Sequence, residues 1–114
     1  MRTWICLSLL TFILPIIVRA QGHEVILTWK ASVDTGVTYN MYRLQGACPA
    51  SGTVGFTKFV TGITGTTYTD GGIAPGQYCY YATASLGGLE SDPSNFAPAN
   101  IAPGAPTSLK LTIK

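Results

Sequence analysis

Nucleophilic catalysis needs a base beside its nucleophile, and this 114-residue chain has one histidine to offer, His23. It sits beside the expected start of the processed chain, where a backbone is usually mobile, so a Ser-His-Asp arrangement has no anchored base. Paired carboxylates that could cut a glycosidic bond reduce to Glu90 and Asp92, which flank Ser91 just before Pro93 in hairpin-exit chemistry. Asp34, before Thr35, and Asp70, before Gly71, read as turn residues that cap backbone groups. A calcium loop would cluster several oxygens at defined spacing, and no such run occurs. Thr61-Gly62-Ile63-Thr64-Gly65 lacks the Lys-Ser/Thr pair and following helix of a phosphate loop. These residues ask for no catalytic group and no cofactor.

Sulfur is more informative. Of the three cysteines, Cys6 lies in a leader-like segment, so Cys48 and Cys79 remain as an even pair. Met1-Arg2 gives a positive start, Trp4 to Val18 is an apolar run, and Val18-Arg19-Ala20 ends in the small-x-small pattern that signal peptidase reads. Residues 1–20 are therefore expected to be a signal peptide, cut after Ala20. The rival is a retained membrane anchor, for which the run falls short of the ~20 residues a spanning helix needs. Export makes a Cys48–Cys79 disulfide the default, stabilising by roughly 3–4 kcal/mol if unstrained. The other reading is two free thiols. A metal site would need a third soft ligand that the processed chain lacks.

The formal charge of +2 also belongs to the leader. Past residue 20 there are five cations (Lys30, Arg43, Lys58, Lys110, Lys114) and five anions (Glu24, Asp34, Asp70, Glu90, Asp92), which cancel. No basic stripe remains to neutralise phosphates, which argues against nucleic acid as a partner.

Strands must position whatever this chain does. Val25, Leu27 and Trp29 alternate with Ile26, Thr28 and Lys30 as a half-buried strand. Thr38–Leu44 follows, with Tyr39 and Met41 inward, and then a Gly/Ser-rich loop from Gln45 to Gly55 carries Cys48. Short strands are expected at Phe56–Val60 and Thr66–Thr69, separated by a turn at Gly62–Gly65. Asp70-Gly71-Gly72 turns the chain again before Ile73–Ala84. In that fifth strand Tyr78, Tyr80, Ala82 and Ala84 form a core face, while Cys79, Tyr81 and Thr83 point the other way. Gly87-Gly88 reads as a hairpin tip, and Glu90 to Ile101 as a sixth strand made irregular by Pro93 and Pro98. Short strands with regular turns and no helical period predict an all-β sandwich or barrel.

In their order, VILTWKAS, TYNMYR, TGTTYTD, IAPGQYCYYATA and LESDPSN resemble a fibronectin type III domain of the bacterial extracellular kind, over roughly residues 23–101. The resemblance implies an immunoglobulin-like antiparallel β-sandwich. It further implies that Trp29, Tyr39 and Met41 are core residues and that Tyr78 is a corner tyrosine whose hydroxyl bonds to backbone just upstream. If the second and fifth strands are neighbours, as the resemblance implies, Tyr42 and Tyr81 lie side by side on the outer face. There they are either a contact surface for protein or sugar, a cross-strand pair that stiffens the sheet, or residues covered by the Cys48 loop.

The resemblance places the domain at 21–101 and leaves no residues for a first strand. Residues 102–114 instead look like the Pro-rich entry and first strand of a following domain, with Leu109, Leu111 and Ile113 alternating against Lys110, Thr112 and Lys114. This tail is expected to dock on its own domain, to fray, or to be donated to a neighbouring molecule. The expected function is a non-enzymatic, secreted or cell-surface module for adhesion, scaffolding or spacing. The alternatives are a fibre subunit assembled by strand donation and a carbohydrate-binding accessory module. The partner, protein or polysaccharide, is not written in the sequence, and the membrane enters only through an uncleaved leader.

Overall fold

The computed structural model describes residues 22–114; the expected signal peptide lies outside the described residues. Seven strands form among the described residues: β1 (His23–Thr28), β2 (Thr38–Gln45), β3 (Thr57–Ile63), β4 (Thr67–Ile73), β5 (Gly76–Leu86), β6 (Leu89–Glu90) and β7 (Ala97–Ile101). They make two antiparallel sheets. One holds β1 and β4; the other runs β3-β2-β5-β6, with β7 also pairing β5. The chain is thus an all-β antiparallel sandwich of the immunoglobulin-like class.

The last two connections have local chemistry behind them. Gly87 and Gly88 take φ of 57° and 81° between the paired Leu86 and Leu89, the left-handed values a two-residue hairpin turn requires at both centres. Between β6 and β7, Pro93 prevents a regular ladder. Ser91 and Ser94 replace it: their hydroxyls accept the Ala84 and Ala82 amides, and their own amides donate to the same two residues' carbonyls.

The inner core is small and phenolic. Ile73, Tyr78 and Tyr80 are buried, with Val25, Leu27, Phe59, Ala97, Ala99 and Ile101 packed on them; Tyr39 and Met41 are buried further along β2. Each buried phenol needs a partner for its hydroxyl. The Tyr39 hydroxyl accepts the Ser32 amide at 2.8 Å, and the Tyr78 hydroxyl donates to the Ala74 carbonyl at 2.8 Å, closing the corner before β5. Replacing Tyr78 with phenylalanine removes one such bond and is expected to cost about 1 kcal/mol. A urea midpoint unchanged from the parent would show that the corner bond contributes nothing.

Several expectations need correction. β3 runs on to Ile63 and β4 runs through Asp70-Gly71-Gly72, both past residues whose glycines suggested turns. The β4 glycines supply a bulge instead. His23 pairs with Ile73 but Val25 with Asp70, so β4 carries one extra residue there, with Gly72 at φ 68°. The sixth strand divides into β6 and β7. Trp29 meets Tyr39 edge-to-face at 5.4 Å but is only half-buried, and its buried indole Nε1 finds no hydrogen-bond acceptor among the described residues. Trp29 lies one residue past β1 and borders an open cleft lined also by Met41, Ala82, Ser94 and Asn95. Residues 102–114 form no strand and are exposed throughout.

Candidate functional site

β5 is buried on both faces, and its outer face is where the polar and aromatic side chains gather. Cys48, in the β2–β3 loop, is disulfide-bonded to Cys79 on β5, with Cα atoms 5.0 Å apart. The bond draws the loop across the sheet. Phe56 from the loop meets Tyr81 edge-to-face at 4.7 Å and stacks on Phe96 at 5.3 Å, so two aromatic rings from opposite sides roof the strand. A disulfide suits an oxidising, extracellular environment.

Tyr42 and Tyr81 sit directly opposite each other in the β2–β5 ladder and stack at 4.4 Å, 12° from parallel. Tyr81 is 7% exposed, however, so it is not part of a free binding surface. The physical reason is the roof: burying apolar rings is favourable, and the disulfide holds Phe56 where it can do so. Tyr42 stays half-buried, with the Lys58 ammonium 5.4 Å above its ring. A two-tyrosine platform for a sugar is therefore not available on this face.

Beside the stack, one carboxylate organises the rest. Glu90 on β6 accepts hydrogen bonds from the hydroxyls of Tyr42 and Thr83, from Asn40 Nδ2 at 3.4 Å and from Lys58 Nζ at 3.3 Å. Asn40 is buried and also donates to Thr83 and Ser85 at 3.0 and 2.7 Å. The Thr83 bond first, then the Tyr42 bond and Lys58, hold the Glu90 carboxyl below its ordinary 4.5. Such a group is ionised at neutral pH and a poor proton donor. Its effect is to fasten β6 across β5 and β2. Because the folded state favours the ionised form, this contribution is present above the carboxylate's ordinary pKa and fades as pH falls through the depressed one. An NMR titration of the Glu90 side chain should give a midpoint below 4.5; a midpoint at or above it would show that the latch does not form.

A second polar group lies between the sheets. Arg43 on β2 donates Nη1 to Asp70 Oδ2 at 2.6 Å, and the Tyr80 hydroxyl donates to the same oxygen at 2.8 Å. Asp70 is on β4, so the group ties one sheet to the other. The guanidinium also lies 4.8 Å over the Phe59 ring. Burial, then the bond to Asp70, pushes the Tyr80 phenol well above its ordinary 10.0. Arg43 borders a crevice of about 550 Å³ at the pole where β1 begins, lined also by Gln45, Phe59, Ile73 and Tyr78. Its charge is already matched by Asp70.

Asp70 is therefore a buried bridging residue, not the turn cap its Gly-Gly neighbours suggested. A signal was present. Arg43 falls at period two with Tyr39 and Met41, so a cation on an inward position asked for an inward anion. The Glu90 cluster left no such trace, because its four partners are 7 to 50 residues away along the chain and only the pairing of β2, β3, β5 and β6 collects them. Among the described residues, no group of three or more histidine, cysteine, aspartate or glutamate side chains is placed to hold a metal ion. His23 lies at the start of β1, far in sequence from both polar groups. No protein-family model matches the chain, and no curated protein is significantly similar to it in sequence.

Proposed function

We propose that this chain is an exported, non-enzymatic module of the fibronectin type III kind, serving adhesion, scaffolding or spacing at or outside the cell surface. The observation that carries the reading is the Cys48–Cys79 crosslink, which turns a Gly/Ser-rich loop into a pinned surface display. Around it the chain spends its polar chemistry on structure: Glu90 fastens a hairpin and Asp70 bridges the sheets. The strand order supports the family likeness, with the first and fourth strands in one sheet and the remainder in the other, as does the closed tyrosine corner.

Recognition then belongs to the loop and not to the sheet. Residues 50–55 are exposed, Val54 at 94%, and a loop held rigid at its base loses less entropy on binding than a free one. Two measurements test this. A reporter enzyme active only outside the cytoplasm, fused after Lys114, should be active in the producing cell; an inactive, stably expressed fusion would end the export reading. The exported protein should coat beads that adhere to cell-surface or matrix preparations, and replacing residues 50–54 with a Gly/Ser run should abolish adhesion without changing the melting temperature. Undiminished adhesion by that variant would move recognition elsewhere.

A further inference from the structure

Strand edges with unpaired amides and carbonyls are templates for added strands unless something blunts them. Most edges of this sandwich are blunted. β7 carries Pro98, β6 is two residues long, and β3 bears Lys58 and a left-handed Gly62. β4 turns the charged Asp70 inward and bulges at Gly71-Gly72. β1 differs. Among the described residues it pairs only with β4, it contains no proline or glycine, and its inward side chains are the half-buried Val25 and Leu27. Ile26 is 67% exposed on its outer face.

The same molecule presents a strand without a sheet. Leu109, Leu111 and Ile113 are 96%, 87% and 87% exposed, and they alternate with Lys110, Thr112 and Lys114. That is the pattern of a strand with one buried face.

We infer that residues 109–114 of one copy pair antiparallel with the free edge of β1 in a second copy. In the register that sets Leu111 opposite Leu27, Ile113 meets Val25 and Leu109 meets Trp29. Each apolar residue of the segment then extends the inner face, and Leu109 lies over the side chain that the sandwich itself leaves half-covered. On the outer face the same register puts Lys114 opposite Glu24, an opposite-charge cross-strand pair. A chain's own segment cannot reach this arrangement easily. β7 ends with Ile101 opposite Gly76, and Gly104 lies beside His23 and Gly72, at the pole where β1 starts. From there the segment runs parallel to β1, and the parallel register that sets Ile113 opposite Trp29 puts Lys114 opposite Lys30, a like-charge pair, instead of Glu24. Pro103 and Pro106 favour extended backbone and stiffen the departure from that pole. A second copy is under no such constraint. Because donor and acceptor surfaces differ, the contact is head-to-tail, and it builds rings if the rotation closes and filaments if it does not. The inference goes beyond the proposed function and stands whether or not the pinned loop binds anything.

The test is native mass measurement and sedimentation of the exported protein up to its highest soluble concentration. Three samples are compared: the parent, the Leu111→Asp variant, and the parent with an excess of a synthetic peptide of residues 106–114. A ladder of species is expected from the parent. Leu111→Asp should lose every species heavier than one copy while keeping its melting temperature, since that side chain is 87% exposed in its own fold, and the peptide should cap the ladder back to single copies. A parent that stays monomeric overturns the inference. So does a ladder that survives Leu111→Asp, which would place assembly on another surface. A monomer whose melting temperature falls on Leu111→Asp would mean that the segment docks on its own β1.

Discussion

Replacing Asp70 with alanine is expected to destabilise the domain by about 3 kcal/mol, toward the lower end of what removing one partner of a buried pair costs. The carboxylate side chain is 9% exposed and the guanidinium 32%, so water can re-solvate part of Arg43 and hold the loss below the full value. Water has no such access to Tyr80, which is 1% exposed and loses the acceptor for its hydroxyl. An unsatisfied buried donor contributes about 1–3 kcal/mol of that penalty by itself. Urea unfolding of Asp70→Ala, alone and with Tyr80→Phe, separates the two parts. The double variant should recover some of the loss, because phenylalanine has no donor left to satisfy. A single variant within about 0.5 kcal/mol of the parent, the range of an inert surface change, would mean that Arg43, Asp70 and Tyr80 do not tie the sheets. The same group sets an alkaline limit. Burial and the Asp70 bond raise the Tyr80 pKa above its ordinary 10.0, so its share of stability is complete below that value. It is lost as pH rises toward the folded-state value. Phenolate absorbance should show a tyrosine, missing from Tyr80→Phe, that ionises only as the protein unfolds.

Removing the Cys48–Cys79 bond is expected to cost as much or more. The cysteines are 31 residues apart, and freeing a loop of that length returns roughly 3–4 kcal/mol of chain entropy to the unfolded state. For a domain of this size each kcal/mol moves the melting temperature by about 4–8 °C, so a fall of well over ten degrees should follow. The loss is not only entropic. Cys79 is fully buried, and the loop it holds keeps Phe56 against Tyr81 and Phe96. Calorimetry of the Cys48→Ala/Cys79→Ala variant gives the size. Iodination of Tyr81, protected in the parent, reports whether the roof has lifted. If the melting temperature fell by only a degree or two with Tyr81 still protected, packing alone would hold the roof.

Alternation along single strands made much of this fold legible in the sequence. Val25 and Leu27, Tyr39 and Met41, and Tyr78 and Tyr80 all declare their inner face by period two, and Gly87-Gly88 declares its hairpin. What stayed hidden depends on pairs of distant elements. Gly71 and Gly72 suggested a turn because glycine is common in turns; only the register against His23 and Val25 shows that they serve a bulge. For Tyr81 the sequence left open whether it was a contact surface, a stiffening pair or a residue under the Cys48 loop, because its strand alone cannot reveal that Phe56 and Phe96 close over it. Trp29 looked sealed because it shares the period-two face of Val25 and Leu27 and because the resemblance implies a core tryptophan there, whereas its depth depends on what lies beyond the end of β1. Glu90 sat among turn residues, and nothing local shows that the hydroxyls of Tyr42 and Thr83 converge on it.

The sulfur bridge also governs how far this molecule can be stretched. Pulled from its two ends, an unfolding chain lengthens by about 3.3–3.6 Å per freed residue, but the 31-residue separation between Cys48 and Cys79 is short-circuited by a covalent tie. Roughly 100 Å of contour is thereby withheld until a reductant cuts the tie. A chain drawn out under load would thus have two lengths, and the thiol chemistry of its surroundings would select between them.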